Sequence, residues 1–60
     1  MISMEEAKRI AEKKENAKAE FIDNHIDGVS YIVVFDSQTV DLVDKKNGDV
    51  RSISVVDLLT

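Results

Sequence analysis

Asn47-Gly48 stands between two valine-rich runs, and no other short feature of the chain restricts its folding as strongly. A two-residue hairpin turn of the tightest kind needs positive φ at both central positions, which asparagine and glycine tolerate and most residues do not. The run before it, TVDLVDKK, and the run after it, DVRSISVV, are therefore expected to pair as antiparallel strands. A third run, VSYIVVF, is β-branched and aromatic with no helical spacing, and Asp36-Ser37-Gln38-Thr39 separates it from the second by turn chemistry. Three strands are predicted, over 29–36, 39–46 and 49–56.

Side chains alternate faces along a strand, so loop length decides which residues share a face. Taking Asn47-Gly48 as a two-residue loop sets Asp44 against Arg51, Leu42 against Ile53 and Val40 against Val55. Taking Ser37-Gln38 likewise sets Phe35 against Val40, Val33 against Leu42 and Tyr31 against Asp44. Both registers choose one face: Val29, Tyr31, Val33, Phe35, Val40, Leu42, Ile53 and Val55, with Asp44 and Arg51 as a charge pair near one end. The other face mixes Ser30, Asp41, Ser52 and Ser54 with Ile32, Val34, Val43, Val50 and Val56, too apolar a set for a wholly solvated surface.

Ahead of the strands, Ser3 followed by Glu6 fits a capping box, in which the serine side chain accepts from the amide three residues on. Glu5 and Glu6 then occupy the first turn, where the helix dipole favours negative charge, and Glu5 with Arg9 and Lys8 with Glu12 are spaced for ion pairs. No glycine or proline intervenes before Gly28, and Ala, Glu and Lys dominate. One helix is predicted over 4–24, with Ala7, Ile10, Ala11, Ala17, Phe21 and Ile22 facing inward and Lys14 and Lys18 interrupting the stripe. The fold class is α+β, a long N-terminal helix on one face of a three-stranded antiparallel meander, in a single domain covering 1–60.

A helix of about 21 residues spans roughly 32 Å and a seven-residue strand about 23 Å, so the helix should overhang the sheet. With 60 residues and no cysteine, the chain has one small core and no disulfide to reinforce it. The overhang, the half-apolar outer face and lightly guarded strand edges all favour a second chain, and a homodimer at micromolar concentration is expected.

Acidic residues outnumber basic ones by 12 to 8. The basic residues Lys8, Arg9, Lys13, Lys14 and Lys18 alternate with glutamates along the helix, so they form a solvated face and not the clustered footprint that nucleic acid requires. No apolar run reaches membrane-span length, and MISMEEAKRIAEKK lacks the apolar stretch of a signal peptide. The expectation is a cytoplasmic protein with no membrane or nucleic-acid partner.

Catalytic chemistry has little to draw on. His25 is the sole histidine and lies in DNHIDG, where Asp23, Asp27 and Gly28 imitate the opening of a Ca²⁺ loop, but Val34 occupies the place of the bidentate glutamate. Without cysteine or a second histidine, nucleophile–base pairs of the Ser-His or Cys-His kind have little to draw on, and a zinc tetrad is excluded. Alternation puts Asp36 and Asp41 beside water, a poor setting for acid–base work. Two glycines allow neither a dinucleotide fingerprint nor a phosphate loop. No catalytic residue, metal ligand or cofactor is expected.

ISMEEAKRIAEKK is similar to the opening helix of PepSY-type domains, with a Ser cap, an acidic pair and an A-x-x-I-A stripe, and SYIVVF followed by TVDLVDKKNGDVRSI resembles that family's paired strands. The resemblance covers roughly two thirds of the chain. It implies a non-catalytic module that regulates or inhibits a protease or binds another protein. Such family members are usually exported or membrane-linked, and this sequence departs from them in showing no export signal.

The functional expectation is a non-enzymatic protein-binding module acting through a sheet edge or the outer sheet face, with Ile32, Val34, Val43, Val50 and Val56 at the interface. The alternative is a small homo-oligomeric structural, assembly or phage-type accessory protein with no partner but itself.

Overall fold

A computed structural model describes residues 1–53. Helix α1, Met4–Glu15, is followed by four strands: β1, Phe21–Asn24; β2, Ser30–Val34; β3, Val40–Asp44; and β4, Val50–Ile53. The strands form one antiparallel sheet in the order β1-β2-β3-β4, with the helix packed on one face. The α+β class agrees with the sequence reading, but the sheet has four strands where three were predicted. The predicted positions 54–56 of the last strand, Val55 and Val56 included, lie outside the described residues.

The extra strand comes out of the predicted helix. Ser3 caps α1 as expected, its Oγ accepting from the Glu6 amide at 3.1 Å. The helix stops after twelve residues because Asn16 turns left-handed, at φ 53 and ψ 46. The Ala17 amide then reaches back to the Glu12 carbonyl at 3.2 Å, the six-to-one bond of a Schellman ending. The Glu12 carboxylate accepts from the Ala19 amide at 2.8 Å and folds the following loop against the helix end. Phe21 and Ile22, predicted as helical core, lie instead in β1.

A helix of this length runs about 18 Å, close to the roughly 17 Å of a five-residue strand. The expected overhang is therefore absent, and with it one argument for a homodimer. Among the described residues no helix is long and apolar enough to cross a membrane.

Both predicted turns are longer than expected, and this changes the faces. The Phe35 amide donates to the Thr39 carbonyl, enclosing a three-residue loop at 36–38 in place of a two-residue one. Asp36 fixes that loop, its Oδ1 accepting from the amides of Gln38 at 2.8 Å and Thr39 at 2.7 Å. One added residue in the connection flips every side chain of β3 relative to β2. Thus Val33 stands opposite Asp41, Tyr31 opposite Val43 and Val34 opposite Val40.

The second turn encloses 45–48, because the Asp44 amide donates to the Asp49 carbonyl and the Gly48 amide to the Asp44 carbonyl. Asn47 and Gly48 do turn the chain, but as half of a four-residue loop in which Gly48 alone is left-handed, at φ 80. The pairing of β4 slides by two residues, which preserves the face, and sets Leu42 against Arg51 and Val40 against Ile53. Asp44 and Arg51 are therefore not cross-strand partners.

The single common face expected from the sequence is split. Tyr31, Val33 and Phe35 point to the helix together with Val43, and pack against Ala7 and Ala11. Val40, Leu42 and Ile53 lie on the opposite face. Both helix alanines are wholly buried, and such small side chains bring the helix backbone close to the sheet. The residues before the helix are tied to the far end of the sheet, since the Ile2 amide donates to the Lys45 carbonyl at 2.7 Å and the Tyr31 hydroxyl to the Ile2 carbonyl at 3.2 Å. The Lys45 ammonium sits 5.0 Å from the centre of the Tyr31 ring, within reach of its π face.

Candidate functional site

Reading the registers across all four strands resolves the sheet into rows. On the helix side they are Ile22, Val33, Asp41, Ser52 and Asn24, Tyr31, Val43, Val50. On the outer side they are Phe21, Val34, Val40, Ile53 and Asp23, Ile32, Leu42, Arg51. The first outer row is apolar from edge to edge. The second is apolar at its centre and ends in an acid on β1 and a base on β4.

Within the outer face, Val40 and Leu42 are buried, Ile32, Val34 and Ile53 are half-buried, and Phe21 is 52% exposed. Phe21 thus presents an aromatic ring on an edge strand, at the end of a continuous apolar row. The backbone beside it is also open. The His25 amide bonds to the Ser30 carbonyl, so by antiparallel alternation Phe21 and Asp23 turn their peptide groups to β2, and Ile22 and Asn24 turn theirs outward. The Asn24 amide is taken by the neighbouring Asp23 carboxylate at 2.7 Å. Among the described residues, none guards the outward groups of Ile22 in this way.

The five residues expected at the interface separate. Ile32 and Val34 do lie on the outer face. Val43 is wholly buried beneath the helix, and Val50 packs against the same core, so neither presents an outer surface. Their displacement follows from the three-residue loop that turned β3 over. Val56 lies outside the described residues. Phe21 was missed because it reads as the apolar stripe of a helix unless Asn16 is recognised as a terminus.

A second cluster was also missed. Asp41, expected beside water, is 0% exposed and lies under the last turn of α1. Its Oδ1 accepts from the Ser52 hydroxyl at 2.9 Å, and its buried Oδ2 has no hydrogen-bond partner. The Ser52 Oγ accepts from the Lys14 ammonium at 3.0 Å, and Lys14 pairs with the Glu15 carboxylate at 3.3 Å. Ser52 also lies 3.4 Å from Glu15, but a hydroxyl has one proton and the shorter contact to Asp41 claims it.

Asp41 and Glu15 face each other across Ser52, whose Oγ lies 2.9 Å from the Asp41 carboxyl and 3.4 Å from that of Glu15. Burial, and then the facing Glu15, push Asp41 above the ordinary carboxylate range. Glu15 moves the other way, held down first by its hydrogen bond with Asp41 and then by Lys14. Of the two carboxyls, Asp41 therefore holds a proton the more tightly.

The DNHIDG segment forms the β1–β2 turn. Burial would raise the Asp27 carboxyl, but amides of Val29 at 2.9 Å and Ser30 at 3.0 Å donate to it and bring it below its usual value. That carboxylate shapes a turn in which Gly28 is left-handed, at φ 74. Among the described residues no group of three or more His, Asp or Glu side chains is placed to hold a metal ion.

These features define a class by architecture: one short helix on a four-stranded antiparallel meander, with an apolar outer row and an aromatic edge. Comparison with protein families, curated proteins and solved structures returns no match.

Proposed function

We propose that the chain is a non-enzymatic protein-binding module that engages its partner along β1 and the adjoining outer face of the sheet. The observation that carries this reading is Phe21, a half-exposed aromatic ring on an edge strand whose outward peptide groups at Ile22 meet no partner among the described residues. An extended partner segment laid against β1 would form main-chain hydrogen bonds there, and an apolar side chain on it would meet Phe21 and Val34. Glu20 and Asp23 flank the position, so basic residues beside that apolar anchor complement it. A regulatory or inhibitory role is what the resemblance to PepSY-type domains implies.

The test uses the full chain and a panel of extended peptides that alternate apolar and basic residues. Binding should slow amide exchange at 21–24, and Phe21→Glu should weaken it by about tenfold or more, the usual effect of losing an aromatic anchor. Unchanged affinity in Phe21→Glu, or protection confined to another strand, rejects the reading. A second copy is the self-partner form of the same proposal. Two β1 edges can pair antiparallel about a twofold axis, and sedimentation of wild type and Phe21→Glu at micromolar concentration detects a dimer that the substitution dissolves.

A further inference from the structure

We propose that Asp41 is a proton-held clasp between α1 and the sheet, which seats the last turn of the helix when its carboxyl is neutral and releases it when the carboxyl ionises. Asp41 lies on the face opposite Phe21, so this device does not depend on the binding surface proposed above.

An ionised carboxylate offers about four acceptor positions, and buried ones need donors. Among the described residues Asp41 receives one, the Ser52 hydroxyl from β4. From α1 it faces Lys14 and Glu15; the Lys14 ammonium is committed to Ser52 Oγ and Glu15 Oε2, and Glu15 brings a second acceptor. From β2 it faces Val33, which brings none. Arg51 pairs across from Leu42 and so belongs to the other side of the sheet, and the Glu12 carboxylate is occupied by the Ala19 amide.

Ionised, Asp41 would be a buried charge with one donor, facing a second anion at the negative end of the helix dipole. Neutral, its own O–H supplies the donor that the site lacks and binds the Glu15 carboxylate. The proton therefore joins helix to sheet. When it leaves for water, the two carboxylates repel, and lifting the final turn of α1 away from Ser52 lets water reach Asp41.

The sign of the linkage follows. The folded chain holds the Asp41 proton more tightly than the unfolded chain, so docking weakens as pH climbs from the ordinary aspartate value of 3.8 through the higher folded one, and is level beyond. The change is about tenfold in the docking equilibrium for each unit separating the two values. Glu15 acts in the opposite sense. Its folded value lies below the ordinary 4.5, so its contribution is lost as pH falls through that lower value.

A carboxyl-carbon NMR titration of the full chain, with amide protection factors at 13–16, tests the clasp between pH 3 and pH 8. Asp41 should titrate above 3.8, and last-turn protection should fall over the same range. Asp41→Asn, which keeps a Ser52 acceptor and loses the charge, should abolish that fall. Glu15→Gln, at a half-buried position, should move both the titration and the loss of protection to lower pH. Titration of Asp41 at or below 3.8, or last-turn protection that does not change with pH, overturns the proposal, and both are read on the wild-type chain.

Discussion

The two faces of the sheet differ in the opposite way from what burial alone would suggest. The outer face carries an unbroken apolar row, Phe21, Val34, Val40, Ile53, whereas the face under the helix has Asp41 and Ser52 at the end of one row. Apolar count therefore did not choose the side on which the helix packs. The choice follows from aromatic volume and from chain connection: Tyr31 and Phe35 both point to the helix, and the Schellman turn at Asn16 and the Ile2–Lys45 bond hold both ends of α1 over that side. Asp41 beneath the helix is partly satisfied by the exposed Ser52 hydroxyl, which donates to its Oδ1.

The comparison is sharpest at two valines. Val43→Lys should bury an ammonium with no partner, a cost of several kcal/mol. A chain of this size has only about 3–5 kcal/mol in reserve, so this variant should be unfolded by circular dichroism at room temperature. Val34→Lys, on the half-buried outer face, should stay folded and lose about 1 kcal/mol or less in urea denaturation. Equal losses at the two positions would break the distinction between the faces.

Next in size is the loop that sets which face is which. Asp36→Ala removes an acceptor shared by two amides and should lower stability by about 1–2 kcal/mol, the range seen when a capping side chain is removed. Chemical-shift differences confined to 35–40 would show the register intact, whereas a change of cross-strand contacts to Val40 would show that Asp36 alone selects the face. Last comes Gly48. An added methyl would lie 3.2 Å from the Ile10 Cδ1 atom at a left-handed φ, so Gly48→Ala should cost about 1 kcal/mol. A loss below a few tenths in the same denaturation series would show that the second turn relaxes freely.

Legibility in the sequence followed the range of the interaction. The Ser3 cap and the start of α1 were readable because serine, its amide partner and Glu6 lie within one turn. The end of the helix was not, because Asn16 sits among Ala, Glu and Lys, all good helix formers, and asparagine marks a terminus less strongly than glycine. That single misreading hid β1 and with it Phe21. The strands at β2, β3 and β4 were recognisable by composition, but their faces were not. Asp36-Ser37-Gln38-Thr39 permits a two- or a three-residue loop, and one residue of difference moved Val43 into the core and Asp41 under the helix.

Taken by itself, the chain of residues determined one helix beginning at Met4, three of the four strands and the places where the chain must turn, because caps, β-branched runs and left-handed glycines act within a few residues. Tertiary structure decided where the helix stops, how many residues each turn encloses and on which side of the sheet the helix packs. Those outcomes depend on helix, loop and sheet closing together. Local propensities leave such alternatives within about 1 kcal/mol of one another, and packing separates them.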